Sequence, residues 1–381
     1  MKRFICCVFL FLASCSMAPV SSPTTMPSQT SLPTDTQTPI PADTDTPTPT
    51  PTGTSTPLPT ATATPRSVIH AGNAASLAKA FQLQHPDTRS LEFAPASDWL
   101  LIGSGDASRG NYLVSMWWPD QETIFDLMSA SATVWEAAFS PDGKRAAYVV
   151  DNPNRDFRGY VIDVELKSQI AGLSGNGTAY CLAFSPDGSQ LALGGQVESP
   201  NGMIWMYETS TWGLIYELPV QNQNVLDLVF SPDGARLYST GTDGRIRIWK
   251  TADWTLLNNF QKGRQANQFA LSPEGSFLVS ISCSTHDAFG CTKGSVVVWK
   301  TADGKMLKTF DDIADSVAFS PDGSLLATGG NYHDPFVRIR YTATWEILGS
   351  AAAMAYRLAF SPDGRLLATA DYEDLMIWTI Q

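Results

Sequence analysis

No stretch of this 381-residue chain is apolar for long enough to cross a bilayer as a helix. The one strongly apolar run, Phe4 to Leu12, falls well short of the roughly 20 residues a span needs. Positive charge is also scarce, with 25 Lys and Arg against 37 Asp and Glu and a formal net charge of -12. An acidic chain repels phosphate backbones, and no basic stripe with interleaved aromatic residues interrupts it, so nucleic acid is excluded as a partner. Catalytic signatures are missing too. The chain has no Gly-x-Ser-x-Gly elbow, no His-Glu-x-x-His helix, no phosphate-binding Gly-rich loop with Lys, and no Gly-x-Gly-x-x-Gly between a strand and a helix. The 4 His are scattered, and neither they nor the 6 Cys form a metal-ligand pattern of four at zinc spacing. Neither a cofactor nor a metal is expected.

Against these absences stands a repeat. Phe139-Ser140-Pro141-Asp142-Gly143 returns unaltered at Phe184 to Gly188, Phe230 to Gly234, Phe319 to Gly323 and Phe360 to Gly364. Leu271-Ser272-Pro273-Glu274-Gly275 and the truncated Phe93-Ala94-Pro95 bring the series to seven copies, 41 to 48 residues apart. Pro presets the φ of a tight turn, Ser and Asp bond the turn's backbone, and Gly takes the positive φ that ends it. Short apolar runs flank each copy, such as Val317-Ala318-Phe319 before and Leu325-Leu326-Ala327 after, so the unit is a hairpin corner between two buried strands. A third strand, often ending in Trp (Ile246 to Trp249, Val296 to Trp299, Met376 to Trp378), and a fourth, such as Lys305 to Phe310, complete each period. Four strands per period of this length make one propeller blade. The fold expected is all-β: a seven-bladed β-propeller of four-stranded antiparallel blades over 75–381, preceded by a disordered Thr/Pro-rich linker. The last blade has only three strands after its corner series begins, and Leu77 to Leu83 has no earlier blade to complete. The simplest topology makes that segment the outer strand of the last blade, paired with Leu375 to Ile380.

From about Ala75 to Gln381 the chain resembles the WD-repeat β-propellers. Leu237-Tyr238-Ser239-Thr240-Gly241-Thr242-Asp243-Gly244-Arg245-Ile246-Arg247-Ile248-Trp249 follows the family pattern closely. The resemblance makes Ser239, Asp243 and Trp249 structural hydrogen-bonding residues. The family's Gly-His pair falls here on Val220-Gln221, a departure from the fourth position. A propeller of the bacterial Tol translocation system also uses a Phe-Ser-Pro-Asp-Gly corner; the Trp-ended third strands favour the WD family.

At the start of the chain, Met1-Lys2-Arg3, the apolar run and Leu12-Ala13-Ser14-Cys15 read as an export signal over 1–14. The segment resembles a bacterial lipobox, which implies lipid attachment at Cys15 and anchoring of the protein, extracytoplasmic, to a bacterial membrane. The alternative is a plain secretory signal cut nearby. Loss of Lys2 and Arg3 with the signal takes the net charge from -12 to -14. Residues 15–66 form a stalk rich in Thr, Pro and Ser, with almost no charge and no aromatic residue, which cannot bury a core. Its hydroxyls are either bare or carry O-linked sugars. Export permits a disulfide between Cys283 and Cys291, which flank one loop; with His286 and Asp287 they would otherwise be metal ligands. Cys181 reads as an apolar filler.

The chain ends within the last blade, which leaves no segment for a catalytic domain, and the function expected is therefore non-catalytic binding. Hairpin corners are uniform, whereas the second-to-third connections vary: Ser104 to Asn111, Asp151 to Gly159, Gln196 to Asn201, Cys283 to Gly294 and Gly330 to Pro335. Variable insertions on one face mark a working face. Four positions before each corner's first residue stand Arg89, Trp135, Tyr180, Leu226, Asn267, Asp315 and Tyr356. Aromatic and Arg residues are the usual hot spots, so Arg89, Trp135, Tyr180 and Tyr356 are the candidate binding residues; the alternative is that some of them plug the channel. The expected protein is a monomeric protein-binding or scaffold module with an unidentified protein partner, touching the membrane only through its anchor. The alternative is a propeller enzyme or small-ligand sensor with a site in the central channel.

Overall fold

The computed structural model describes residues 67–380, apart from residues 86, 106–111, 120–122, 131, 151–155, 199–200, 221–223, 262–265 and 288–289. The export signal, Cys15 and the Thr/Pro-rich stalk lie outside the described residues, as do most of the insertion that begins at Ser104 and parts of those that begin at Asp151, Gln196 and Cys283. The strands form seven antiparallel sheets of four, and each sheet is one blade of a ring. The inner strands, in chain order, are Thr88–Phe93, Val134–Phe139, Thr178–Phe184, Val225–Phe230, Ala266–Leu271, Ser316–Phe319 and Arg357–Phe360. In the first six blades, strands follow one another outward in sequence order.

The seventh blade takes its outer strand from the other end of the chain. Leu77–Gln84 pairs antiparallel with Asp374–Ile380, Leu77 opposite Ile380 and Gln84 opposite Asp374. The residues just before this strand are fastened as well. Ile69 donates its N–H to the corner carbonyl of Gly364 at 2.9 Å. Ile69 and Ala74 are buried in the apolar layer between blades six and seven, with Val337, Leu358 and Phe360.

The corners owe their uniformity to one local network. Ser140 Oγ donates to Asp142 Oδ1 at 2.6 Å and accepts from the Arg145 N–H at 3.0 Å, while Gly143 closes the turn at φ 69°. The same Ser-to-Asp bond recurs from Ser185, Ser231, Ser320 and Ser361. Apolar residues then face each other between blades: Ala192 and Ile204 of blade three pack with Val225, Leu237 and Trp249 of blade four. Trp249 Nε1 donates to Ser239 Oγ at 2.9 Å, and Trp299 and Trp378 repeat the link to Ser280 and Thr369. Asp243, in turn, is held by Arg247 at 2.7 Å.

The turns from third to outer strand carry a feature that turn chemistry does not suggest. Trp212, Trp254 and Trp345 adopt positive φ of 58°, 58° and 65°, where Gly304 stands in the fifth blade. L-residues pay strain in this region. Packing onto the preceding blade offsets it: Trp254 stacks on Tyr216 at 6.2 Å, and Trp345 meets Phe277 at 5.7 Å.

Candidate functional site

Strand register explains why the position four before each corner is singled out. In blade one, Thr88 pairs with Ser104 and Ser90 with Gly103, so Arg89 is skipped. Trp135 is skipped in the same way in blade two, Tyr180 in blade three, Leu226 in blade four and Asn267 in blade five. Each is the extra residue of a β-bulge, which leaves the ladder and re-aims its side chain. Asp315 and Tyr356 stand just before their strands, their N–H groups on the carbonyls of Gly329 and Ala370. The side chain of Asn267 lies outside the described residues.

The four candidate residues fall into two touching groups. The Arg89 guanidinium lies over the Trp135 ring, 5.5 Å from its centroid, and Trp135 meets Tyr180 edge-on at 5.8 Å. Tyr356 packs against Tyr372 at 4.4 Å, and Tyr372 is 45% exposed at the rim. Arg357 links the two groups: its Nε donates to the Arg89 carbonyl and its Nη1 to the Tyr356 carbonyl at 2.7 Å. Arg89 is also paired with Asp87 at 3.1 Å. Arg89 Nε and Trp135 Nε1 are closed off from solvent without a hydrogen-bond partner.

On the same rim, the hairpin of Phe277–Asp287 and Gly290–Lys300 rises above blade five, closed by a disulfide between Cys283 and Cys291 with Cα atoms 5.8 Å apart. It is braced against blade six by Asn331 Nδ2, which donates to the Cys291 carbonyl at 3.1 Å, and by the His333–Asp287 pair at 3.0 Å. Among the described residues no group of three His, Cys, Asp or Glu side chains is placed to hold a metal ion. Cys181 is fully buried, its Sγ directed at the Gly194 carbonyl.

One step deeper lies a ring of residues that sequence reasoning passed over. Three positions before each corner's first residue stand Ser90, Glu136, Cys181, Asp227, Gln268, Ser316 and Arg357. Most of these side chains cross the seam to the next blade. Ser90 Oγ bonds the Ala137 carbonyl at 3.0 Å, Glu136 accepts from the Leu182 N–H at 3.1 Å, and Asp227 accepts from the Phe269 N–H at 2.9 Å. Ser316 reaches the Ala355 carbonyl at 2.6 Å, and Arg357 the Arg89 carbonyl. Glu92, two residues further along, accepts from the Phe139 N–H at 2.6 Å. Gln268 is the exception, its Oε1 buried without a partner. A readable signal existed: each inner strand holds a polar residue or Cys at one register beside apolar neighbours such as Ala137, Leu182, Leu228 and Val317.

Burial sets the electrostatics of this ring. It pushes Glu92 up to about 7 and Asp227 up to about 7, and the Phe269 N–H on Asp227 opposes it. Glu136 is pushed up to about 8, by burial first and by the Asp227 charge second. The corner carboxylates behave oppositely, since the Ser140, Ser185 and Ser231 hydroxyls hold Asp142, Asp187 and Asp233 below the usual range.

These opposite shifts give a stability profile. A carboxyl whose folded pKa is raised stabilises below its unfolded value and loses that contribution as pH climbs through the folded one. For Glu92, Glu136 and Asp227 the loss runs from about pH 4 to 8. The corner Asp residues stabilise above their unfolded value and fail only in stronger acid. The melting temperature is therefore expected to peak near pH 5 and to fall toward pH 9, and Glu136→Gln to flatten the alkaline limb. Thermal melts across pH 3 to 9 check this; a profile that climbs steadily above pH 5 would contradict it.

Seven four-stranded antiparallel blades define the fold as a seven-bladed β-propeller. The family "WD domain, G-beta repeat" matches residues 212–250 and 304–339, which supports the WD-repeat family. SEC12-like protein 1 of Arabidopsis thaliana is 33% identical over 102 residues, 27% of this chain and 25% of its own. A p21-activated protein kinase-interacting protein 1-like protein of Gallus gallus is 26% identical over 51% of this chain and 49% of its own. Eukaryotic translation initiation factor 3 subunit I of Anopheles gambiae is 23% identical over 64% of this chain and 78% of its own. The chain thus spans about a quarter and about half of the first two of these relatives. Among solved structures, a chain of the Mitotic Checkpoint Complex superimposes with a TM-score of 0.66 at 19% identity, covering 80% of this chain and 96% of that one. At that identity the likeness concerns the fold.

Proposed function

We propose that this protein is a non-catalytic, protein-binding scaffold whose working surface is the rim formed by Arg89, Trp135, Tyr180 and Tyr356, joined by Tyr372. The observation that carries this reading is the bulge series, which lifts one side chain per blade out of the ladder in each of the first five blades. Aromatic and Arg residues held rigidly at the centre of a patch are the usual energetic anchors of interfaces. A relative named for interacting with a protein kinase agrees with it. In this reading the protein is extracytoplasmic, exported by residues 1–14 and lipidated at Cys15, with 15–66 as its stalk.

Affinity capture from membranes with the full chain as bait would identify the partner. Trp135→Ala with Tyr356→Ala is then expected to weaken it by more than about 1 kcal/mol, measured well below the melt, which falls because Trp135 also packs on the core of blades two and three. Dependence on the Pro-Asp-Gly corners instead would place binding on the other face. Cys15→Ala is expected to abolish incorporation of labelled fatty acid and to leave uncut precursor; unchanged labelling would remove the anchor.

A further inference from the structure

Each sheet of the ring ends in an outer strand with one unpaired edge, and such an edge is a template for pairing with another chain. Most of these edges are blunted. Three carry a charge at mid-strand: Asp126 in Thr123–Ser129 of blade one, Glu217 in Leu214–Val220 of blade three and Lys308 in Met306–Phe310 of blade five. Pairing a strand with its own copy about a two-fold axis sets one residue opposite itself, so these three would bring like charges together. Blade three adds Pro219, which has no N–H to offer. Leu77–Gln84 of blade seven carries Lys79. Ile347–Ala352 of blade six is overlaid by Ala74–Ser76, whose Ala74 carbonyl oxygen would stand 2.6 Å from a Cβ on Gly349. Ser168–Asn176 of blade two is uncharged but has Gly172 at its centre and Gly175 near its end, and glycine weakens a strand.

Leu256–Gln261 of blade four, Leu-Leu-Asn-Asn-Phe-Gln, has no charge, proline or glycine. Its Leu256 and Leu257 are 46% and 50% exposed. Exposed aliphatic pairs also open the outer strands of blades three and five, at Leu214 with Ile215 and Met306 with Leu307, so the uncharged remainder is what singles out blade four. The ladder fixes which groups face its edge. Lys250 donates to the Thr255 carbonyl at 2.9 Å and accepts from the Trp254 N–H at 2.8 Å, so its main-chain groups face the outer strand. Alternate residues of an antiparallel strand face the same way, which turns Ile248 and Ile246 toward their partners Asn258 and Phe260. Asn259, opposite Arg247, therefore turns its N–H and C=O to the open edge. Asn258 Oδ1 meets that N–H at 2.8 Å, a side chain of the same strand standing where a partner's carbonyl would.

We propose that this strand pairs antiparallel with the same strand of a second copy, about a two-fold axis at Asn259, so that two blades join into one continuous sheet. At the axis each Asn259 N–H meets the other copy's Asn259 carbonyl in place of the Asn258 side chain. Asn258 then falls opposite Phe260 and Leu257 opposite Gln261, and no charge stands opposite its like. The dimer replaces the monomer expected from the sequence. It does not involve the rim residues, because outer strands lie at the circumference and inner strands at the channel. The net charge of -12 opposes association at long range, so salt, which screens it, strengthens the dimer.

Sedimentation velocity of the full chain over a range of concentrations tests this. The wild type is expected to pass from monomer to dimer as concentration rises, more readily at high salt. Asn259→Lys gives blade four a mid-strand lysine like Lys308 of blade five. The site is exposed, so the melt should hardly change, while the dimer dissociation constant should rise at least about tenfold. Asn259→Cys supplies a positive readout. A hydrogen-bonded antiparallel pair holds its Cα atoms about 5.5 Å apart, within disulfide range, so mild oxidation should join two copies through residue 259, read in a non-reduced digest. Thr309→Cys, at the same register of blade five, should give no such link. A wild type that stays monomeric overturns the proposal and leaves the edge to a foreign strand. An equal dimer in Asn259→Lys, or no link through residue 259, overturns it and places the contact elsewhere. Equal yields from Asn259→Cys and Thr309→Cys would show random collision and overturn it too.

Discussion

A protein lacking Ser67 to Gln84 is expected to lose cooperative folding and to aggregate, whereas one lacking Ser16 to Pro65 should melt as the full chain does. The deleted outer strand pairs along the whole length of Asp374–Ile380, so its loss leaves that strand as an open edge. Open edges invite pairing with other chains. The apolar cost is large as well. Ile69, Ala74 and Leu77 leave the layer between blades six and seven, and Phe81 and Leu83 leave the layer that covers Trp117 and Ile377. Fully burying each larger apolar side chain contributes roughly 1.5–3 kcal/mol, so several together approach the roughly 5–15 kcal/mol of net stability that a domain usually has. Size-exclusion chromatography and thermal melts of the two deletions decide the matter. Equal stability would show that the ring closes without its clasp.

Gly195→Ala is expected to cost more than about 3 kcal/mol or to prevent folding, a loss as large as those from severe core defects. A Cβ at Gly195 would stand 1.8 Å from the Thr178 carbonyl oxygen and 2.8 Å from the Ala179 Cα. Both are main-chain atoms of the neighbouring inner strand, at the bulge that lifts out Tyr180. They cannot withdraw without breaking the register that positions the rim. Glycine in a strand interior commonly marks such a close approach. Gly172→Ala is the control, since its new Cβ meets only the flexible end of Gln169 at 3.9 Å and its outer strand is largely exposed. Denaturant unfolding should separate the two by several-fold in midpoint shift. A neutral Gly195→Ala would mean that the bulge relaxes freely, and the rim could not then be regarded as rigid.

Much of this architecture was legible because it is written locally. Pro141, Asp142 and Gly143 specify their turn within five residues, and the Ser140–Asp142 bond and the positive φ of Gly143 are what those residue types do in any tight turn. Counting such turns gave the blade number, and the unpaired Leu77 to Leu83 gave the clasp. The tryptophans at positive φ were not legible, since turn chemistry favours glycine there, as at Gly304. What holds Trp254 and Trp345 in place lies on the preceding blade, on Tyr216 and Phe277.

The rim divides the same way. That Arg89, Trp135, Tyr180 and Tyr356 share one position in their repeats followed from the sequence alone, because a repeated corner supplies a common origin for counting. So did the strand pattern, the third-strand tryptophans and the acidic balance, each a property of residues near one another or of simple sums. Which of these side chains meet was decided only by tertiary structure. Arg89 reaches Trp135 because a bulge turns each out of its ladder, and both meet Tyr356 through Arg357, 268 residues away from Arg89. The raised pKa values of Glu136 and Asp227 likewise exist only when the ring is closed. Desolvation and charge pairing depend on what other blades bring within a few ångströms, and residues one repeat apart carry no mark of that neighbourhood in their own stretch of chain.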